Sequence, residues 1–221
     1  MNKKIQAEVE RLFHSNPCLL FDDKKLRQIV AVVFGVTLPD AWQKNIVDVI
    51  DNLVLEKYFS EVWQPKTKKY KYSGLDIIDR INEENPNLVI DLGCGYNEFK
   101  GKIKNLIGID PYNDLADLGV GTLQYKTDQK FDVILCLGSI NFGSRDKIIA
   151  EVSRCVNLLA DGGTMFFRVN PGLSHDKPES EWIEFYAWNV PFIIELSEMF
   201  NLKILDIRDD TNQRKYFVYK K

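Results

Sequence analysis

The apolar residues of the first part of the chain, up to about residue 58, recur at helical spacing. A first helix would carry on one face Ile5, Val9, Leu12 and Phe13. A second helix is predicted from a cap at Asp22 or Asp23 to Phe34, with Gly35 ending it. This part of the chain contains no suggestive pairing of chemical groups, so we read it as a helical extension.

Two further helices are predicted before residue 88. One would open at Pro39 and Asp40 and bury Ile46, Val49, Ile50, Leu53 and Val54. The other would be capped at Ser73 and stop at residues 85–87, where Asn-Pro-Asn interrupts it. Its apolar face would consist of Leu75, Ile78 and Ile81.

From residue 88 onward, strand patterns alternate with helical patterns. Strands are predicted at residues 88–90, 106–109, 131–137, 164–169, 203–207 and 215–219, and helices at residues 144–159 and 189–200. This alternation is typical of a parallel sheet with helices on both faces. The last two strands have no helix between them, so we expect an antiparallel hairpin at the edge of the sheet.

Composition excludes several classes of protein. The chain has 221 residues, 29 Lys and Arg against 32 Asp and Glu, and a net charge of −3, which does not favour a nucleic-acid partner bound by net charge. Four cysteines, at positions 18, 94, 136 and 155, form no CxxC pair and no Cys/His cluster, so we expect neither a metal site nor a disulfide framework.

No segment of the sequence suggests a membrane partner. The longest apolar run, residues 29–38, is half as long as the roughly 20 residues that a spanning helix needs. Residues 1–11 are polar and amphipathic, unlike a secretory leader. We therefore expect a cytoplasmic protein.

Basic residues and tyrosines alternate over residues 66–72, with the sequence KTKKYKY. Such a segment can hold a nucleic-acid backbone and stack bases. For so short a run, we favour the interpretation of a solvated linker.

The glycine-containing segment at residues 89–97, VIDLGCGYN, carries the most information. Gly93 and Gly95 permit positive φ and let a ligand lie against the backbone at the carboxyl end of a strand. Asp110 follows 19 residues after Asp91 and ends the next predicted strand, where a carboxylate can accept both hydroxyls of a ribose.

The residues of this segment distinguish between three possible ligands: a dinucleotide, a nucleoside triphosphate and S-adenosylmethionine. The dinucleotide fingerprint requires a third glycine where Glu98 stands, and the phosphate-loop pattern GxxxxGK[ST] is absent. Asp91 would repel a pyrophosphate but suits a cationic ligand. S-adenosylmethionine, with an ammonium, a sulfonium and a ribose, fits two acids that flank glycines.

The ordered set of motifs resembles the class I S-adenosylmethionine-dependent methyltransferases, especially their small-molecule-type branch. The motifs are VIDLGCG at 89–95, IGID at 107–110, FDVILCLGS at 131–139 and LLADGGT at 158–164. The resemblance implies a three-layer α/β Rossmann-like fold with a mostly parallel seven-stranded sheet of order 3-2-1-4-5-7-6. It divides the chain into a helical extension with a basic linker, residues 1–72, and a methyltransferase domain, residues 73–221.

The resemblance also assigns cofactor-binding residues by motif position. The methionine part of the cofactor would lie against Asp91, Gly93, Cys94 and Gly95, and the ribose hydroxyls against Asp110. The adenine would be covered by Pro111, Tyr112, Val120 and Gly121, and the sulfonium and acceptor would face Leu137, Gly138 and Ser139. Lys71 or Tyr72 could reach the methionine carboxylate, which is a third interpretation of the basic segment.

This chain departs from the pattern of the family at three places. Asn97 replaces the third motif glycine, and Val120 stands at the place of the adenine-binding acid. Residues 111–130 are too few for a full helix and strand, so the helix there is expected to be missing or reduced to a turn. Backbone groups of residues 119–122, or Asp117, would then contact the adenine.

Methyl transfer from a sulfonium needs alignment more than acid or base chemistry, so the sequence leaves the catalytic residues unknown. His175 could serve as a base or ligand, or be solvent-exposed, and Arg145 and Arg168 could anchor an anionic acceptor. At helical spacing, three aromatic residues could form a lid or belong to the core: Trp182, Phe185 and Tyr186.

Three functions follow from these observations. The first is an S-adenosylmethionine-dependent methyltransferase acting on a small molecule. The second is a protein or nucleic-acid methyltransferase docked through the basic segment. The third is a non-catalytic S-adenosylmethionine-binding module, and the oligomeric state is left open.

Overall fold

The computed structural model describes residues 2–40, 45–63 and 66–221. The chain divides into two compact units, one comprising residues 1–63 and 174–184 and the other residues 64–173 and 185–221. The basic segment therefore belongs to the second unit, whereas the sequence placed it with the helical extension. Hydrogen bonds explain the difference, because Lys69 bridges Gly74 and the Leu75 amide donates to the Lys68 carbonyl.

The described residues of the first unit contain three α-helices; the first is at its predicted place and the second has its predicted bounds. They are α1 (Lys3–Ser15), α2 (Asp23–Phe34) and α3 (Ile46–Lys57). Asp22 caps α2, and Gly35 ends it in the left-handed conformation at φ 68°. The predicted opening of α3 at Pro39 and Asp40 is wrong, because Asn45 has a non-helical backbone and caps the helix with its side chain. Residues 41–44 lie outside the described residues.

The second unit contains a mixed sheet. Its strands are β1 (Val89–Leu92), β2 (Leu106–Ile109), β3 (Phe131–Cys136), β4 (Leu159–Val169), β5 (Lys203–Asp209) and β6 (Lys215–Lys220). Their order is β2-β1-β3-β4-β6-β5, with β1 to β4 parallel and β6 antiparallel to both of its neighbours. The predicted terminal hairpin at the sheet edge is confirmed.

Helices cover both faces of this sheet, so the predicted three-layer α/β class is confirmed. One face packs against α4 (Ile78–Glu83), with Ile81 buried beside Val89 and Phe166. The other packs against α5 (Arg145–Leu158) and α6 (Val190–Met199), with Val152 and Ile193 in its core. The central strands β1 and β3 are near-continuous apolar runs because both of their faces are buried.

The prediction of seven strands is wrong for the described chain, which has six in this sheet. The missing strand is the one expected beside β2. In its place Leu118 forms an isolated parallel bridge with Ile109, within a segment of turns from residue 111 to 130. The expected loss of the helix in this segment is confirmed. Twenty residues cannot make both a return across the sheet and a full strand.

The connection between β1 and β2 is also shorter than a usual strand–helix–strand connection, and the sequence did not predict this. The connection between β1 and β2, residues 93–105, consists of successive turns with no helix. The amide of Asn97 donates to the Cys94 carbonyl at 2.9 Å, and that of Ile103 to Phe99 at 2.9 Å. Without a helix, the loop after β1 offers no helix N-terminus to a phosphate group.

The predicted cap at Ser73 is also wrong. The Ser73 hydroxyl donates to the Asp210 carboxylate, and a 3₁₀ turn over Leu75–Ile77 precedes α4. The Ser73 side chain, which local sequence assigns to the helix cap, hydrogen-bonds instead to a residue distant in the chain. Separately, none of the described helices has the length and apolar content to cross a bilayer.

Candidate functional site

The glycine loop leaves the carboxyl end of β1 and is fixed to β2. The amides of Gly93 and Cys94 both donate to the Ile109 carbonyl, at 2.8 and 3.0 Å. Gly93 has φ 75°, and a Cβ there would lie 2.3 Å from Cβ of Ser139. Gly95 has φ 52°, yet a Cβ there would have no atom within 4 Å. Gly93 thus permits close packing of two loops, whereas Gly95 presents bare backbone to open space.

Asn97 takes over the conformational role of the third motif glycine. Its φ is 54°, a left-handed conformation that asparagine tolerates better than most residues. Its side-chain amide donates to the Leu115 carbonyl at 3.0 Å and so ties the segment after β2 to the loop. Gly108 makes room for this side chain, because a Cβ there would lie 2.3 Å from Asn97 Oδ1. Sequence reasoning noted the replacement but missed this contact, since it depends on strand register.

Asp110 joins the two loops at the end of β2. Its Oδ2 accepts from the Gly95 amide at 3.0 Å, and its Oδ1 accepts from the Tyr112 amide at 2.8 Å. Each carboxylate oxygen keeps a second acceptor site, so the group can still receive two hydroxyl donors. This geometry is compatible with the predicted ribose contact.

Asp91 is a buried carboxyl group, with 3% of its surface exposed. Burial raises its pKa to about 7, and the nearby negative charge of Asp110 adds to the shift. Within the part of the chain that the structure describes, no hydrogen bond to this carboxyl contributes to its pKa. A cation brought beside Asp91 would favour its ionised form, which is the property expected of a site for a positively charged ligand.

The loop after β3 completes this edge of the sheet. Gly138 has φ 125°, and its carbonyl accepts from the Asn141 side-chain amide at 2.8 Å. Asn141 Oδ1 accepts from the Asn170 amide at 2.7 Å, which joins the loop to the end of β4. Ser139 Oγ is buried and has no hydrogen-bond partner among the described residues. Sequence reasoning assigned Gly138 and Ser139 but missed both asparagines, whose role appears only once β3 and β4 are neighbours.

The segment after Asp110 contains the predicted adenine side. Pro111 is exposed, whereas Tyr112, Val120 and Gly121 are half-buried. Val120 packs against the sheet core. Asp117 Oδ2 accepts from Lys100 Nζ and from the Gly108 amide, both at 2.8 Å. Because Asp117 already holds Lys100 and Gly108, we favour the backbone of residues 119–122 over Asp117 for contact with the adenine base.

Two residues considered as acceptor contacts lie in the first unit. His175 Nδ1 is 2.8 Å from the Tyr58 hydroxyl, and its ring stacks on Trp63 at 4.0 Å. Trp182 packs against Phe34 with ring centroids 4.7 Å apart. His175 is half-buried, so the solvent-exposed alternative is wrong. Its contacts give it a packing role within that unit.

The aromatic residues of the second unit pack into or onto the core. Phe185 meets Phe142 edge-on at 5.4 Å, and Tyr186 meets Trp188 at 5.8 Å. Trp188 is buried and donates its indole N–H to the Ile140 carbonyl at 2.9 Å. Residues 181–188 form no helix, so the expected helical spacing is wrong there.

Both arginines named as anion anchors have acidic partners. Arg145 pairs with Glu195. Arg168 pairs with Asp210, at 3.2 Å between Nε and Oδ2. Within the described ranges, no group of three or more His, Cys, Asp or Glu side chains is placed to hold a metal ion. Burial raises the pKa of the Cys94 thiol, as expected for a thiol that is not a nucleophile.

Comparison with known proteins gives structural neighbours only. No protein-family model matches the chain, and no curated protein sequence matches it. The 1,6-didemethyltoxoflavin N1-methyltransferase of Burkholderia thailandensis, solved with its substrate and S-adenosylhomocysteine, superposes with a TM-score of 0.57 at 14% identity. The superposition covers 84% of this chain and 94% of that one.

Two further neighbours cover about two thirds of this chain. The N-methyltransferase NodS of Bradyrhizobium japonicum, with S-adenosylhomocysteine, has a TM-score of 0.51 at 16% identity over 66% of this chain and 84% of its own. CalS10, an amino pentose methyltransferase of Micromonospora echinaspora with bound S-adenosylmethionine, has a TM-score of 0.52 at 14% identity over 66% and 88%. The chain therefore has the Rossmann-like fold of the class I S-adenosylmethionine-dependent methyltransferases.

Proposed function

We propose that the protein is an S-adenosylmethionine-dependent methyltransferase that acts on a small-molecule acceptor in the cytoplasm. One observation carries the proposal: the ends of β1, β2 and β3 bring together Asp91, the open backbone of Gly95, Asp110 and the Ser139 hydroxyl, which has no partner in the described part of the chain. Two acids around a glycine loop suit a ligand with positive charge and a ribose. Neighbours of the same fold were solved with S-adenosylmethionine or its product.

The residues at this edge fit the cofactor by three separate tests. The space beyond Gly95 allows a ligand to approach the backbone. The buried carboxyl of Asp91 would take its ionised form beside an ammonium or sulfonium group. The Ser139 hydroxyl forms no hydrogen bond with the residues that the structure describes, and a polar ligand group would supply one. We propose that these residues, with Asp110 on the ribose, hold S-adenosylmethionine.

Bound S-adenosylmethionine would supply an electrophilic methyl group on a good leaving group. The chain would then have to orient the acceptor in line with that methyl and keep water away. Gly138 and Ser139 lie in the loop where we place the acceptor, and the two asparagine contacts hold that loop against β4. No general base is assigned, since a neutral amine or an ionised oxygen acceptor needs none before transfer.

A small-molecule acceptor is favoured over a nucleic acid. The ring of Tyr70 is covered by Arg168 at 4.0 Å, and Tyr72 contacts Tyr216 at 6.3 Å and Arg208 at 4.8 Å. Faces that protein groups already occupy are poor platforms for stacked bases. The methionine-carboxylate role of Lys71 or Tyr72 stays a prediction.

The free thiols support a cytoplasmic setting. Cys136 and Cys155 are both buried with their sulfur atoms 3.8 Å apart, and neither forms a disulfide. Two neighbouring thiols persist most readily in a reducing compartment. We also propose that the helical extension and the methyltransferase domain are separate domains.

Cofactor affinity should rise with pH between pH 6 and 7.5. Asp91, whose pKa is about 7, is largely protonated at pH 6, and a cationic ligand would bind its ionised form more tightly. We expect a roughly fivefold to tenfold gain in affinity over this range, measured by calorimetry. The Asp91→Asn variant should lose most of the gain, which separates Asp91 from titration of the ligand itself. Equal pH profiles of wild type and variant would contradict the role of Asp91.

The direct test of the function is binding followed by turnover. Calorimetry should show binding of S-adenosylmethionine and its product but not of NAD. Labelled methyl from S-adenosylmethionine should then appear in a small molecule when the protein is incubated with a fractionated cell extract. Tight NAD binding without a response to S-adenosylmethionine would overturn the proposal. Binding without transfer to any fraction would favour the non-catalytic module instead.

A further inference from the structure

Two arginines lie together at the end of β4, on the same face of the sheet. Arg168 pairs in register with Tyr216 on β6, and Arg214 lies two residues before Tyr216 in extended backbone. Residues two apart on an extended chain project to the same side, so Arg214 shares the face of Arg168. The amide of Asp210 donates to the Arg214 carbonyl at 2.7 Å and closes the turn that places this residue.

Arg168 is fixed in one position by three contacts. Its Nε lies 3.2 Å from Asp210 Oδ2, and its Nη2 donates to the Thr211 carbonyl at 2.9 Å. Its guanidinium stacks on Tyr70 at 4.0 Å from the ring centroid. The side chain keeps only 11% exposure. Such a planar group, held before any ligand arrives, is well suited to recognise an oxyanion.

Asp210 cannot neutralise a second guanidinium. Its side chain is fully buried, and its two oxygens accept four donors: the Tyr72 amide, the Thr211 amide, the Ser73 hydroxyl and Arg168 Nε. A carboxylate offers about four acceptor sites, so this one is saturated. The pair of arginines therefore retains one excess positive charge.

Arg214 carries that excess charge. It is half-buried, and among the described residues it has no acidic partner within ion-pair distance. Burial lowers its pKa to about 10, and the positive charge of Arg168 adds to this. An anion placed between the two guanidinium groups would relieve both effects.

The position of this pair relates it to the proposed acceptor site. Cys136 of β3 pairs with Phe167 of β4. The next residues along these two strands are Leu137 and Arg168, which therefore lie next to each other. Neighbouring strands are about 4.8 Å apart, which places the backbone of Arg168 one strand away from the Leu137–Ser139 loop. Arg168 thus lies beside the loop that we propose to face the methyl acceptor, and Arg214, just before β6, lies one strand further from that loop.

We propose that Arg168 and Arg214 form an oxyanion-binding subsite, and that the methyl acceptor carries a carboxylate or phosphate group held there. The acceptor assignment rests on the proposed function. Arg168, which its protein contacts hold in place, would orient the oxyanion. Arg214, which has no acidic partner among the described residues, would supply the positive charge that the oxyanion neutralises.

The subsite can be tested on the intact protein without the acceptor. Titration with inorganic phosphate or with acetate, at constant ionic strength, should raise the thermal unfolding temperature of the wild type in a saturable way. The larger response identifies which oxyanion the subsite prefers. Arg214→Gln should abolish the response, and Arg214→Lys should keep part of it. Arg208→Gln is the matched control, because it removes an arginine that pairs with Asp206 and should leave the response unchanged. Equal responses of wild type and Arg214→Gln would overturn the subsite.

The role in acceptor binding has its own readouts. Product labelled from the extract should be retained on an anion-exchange column, and Arg214→Gln should raise the KM for that acceptor at least tenfold with S-adenosylmethionine affinity unchanged. An equal loss of S-adenosylmethionine affinity would overturn the acceptor role, because the arginines would then hold the cofactor's carboxylate. Wild type that fails to bind S-adenosylmethionine would sink the proposed function, while the anion titration would still report on the subsite.

Discussion

Replacing Asp110 by alanine is expected to weaken S-adenosylmethionine binding by roughly 100-fold, or about 3 kcal/mol. The variant loses the predicted ribose contact and also releases the Gly95 and Tyr112 amides that the carboxylate holds. Two effects therefore add: a missing ligand contact and a loop no longer arranged in advance. Calorimetric titration of wild type and variant measures the loss.

Two variants separate these effects. Asp110→Asn keeps one acceptor oxygen and should fall between wild type and alanine. Asp114→Ala removes an exposed negative charge from the same segment and should change affinity little, which controls for net charge. An Asp110→Ala affinity within twofold of wild type would show that the ribose assignment is mistaken.

Gly93→Ala is expected to destabilise the fold by about 3 kcal/mol. Part of this cost is the left-handed backbone at φ 75°, and part is the clash of the new Cβ with Cβ of Ser139 at 2.3 Å. The close contact involves a Cβ, which cannot move without shifting its backbone. Urea unfolding monitored by circular dichroism gives the change in the free energy of unfolding.

The chain provides a matched control for strain alone. Gly101 has φ 76°, and a Cβ there would meet no atom within 4 Å, so Gly101→Ala should cost only about 1 kcal/mol. Gly95→Ala should likewise cost little stability but should impair cofactor binding, because its new methyl group enters the space that we assign to the ligand. Similar stabilities of the alanine variants at positions 93 and 101 would refute the packing argument.

The sequence predicted those elements whose signals are local. Asp22 and Gly35 bound α2 as expected, because capping and left-handed termination depend on residues within one turn. The buried strand at Phe131–Cys136 was evident from its continuous apolar run. Ser73 shows the limit of this reasoning, since its hydroxyl donates to Asp210, a partner 137 residues away, instead of capping the next helix.

Motif order placed Asp91, Gly95 and Asp110 in one site, and the structure brings them together at one edge of the sheet. Their contacts with a cofactor stay a prediction. Motif order could not reveal that Asn97 packs over Gly108 or that Asn141 holds Asn170, because these residues are far apart in the chain. Arg214 escaped notice for the same reason, whereas Arg168 and Arg145 were named without their acidic partners.

The sequence alone determined the class of fold and the position of the glycine loop with its two acids. It also determined that the connection between Asp110 and Phe131 is too short for a full helix and strand. Each of these rests on residue order and local chemistry. Only the tertiary structure decided that the edge strand shrinks to a single bridge at Leu118, and that Asp210 is saturated by four donors while Arg214 is left with its charge. The physical reason is that strand pairing and hydrogen-bond saturation depend on contacts between residues distant in the sequence, and only the fold specifies those contacts.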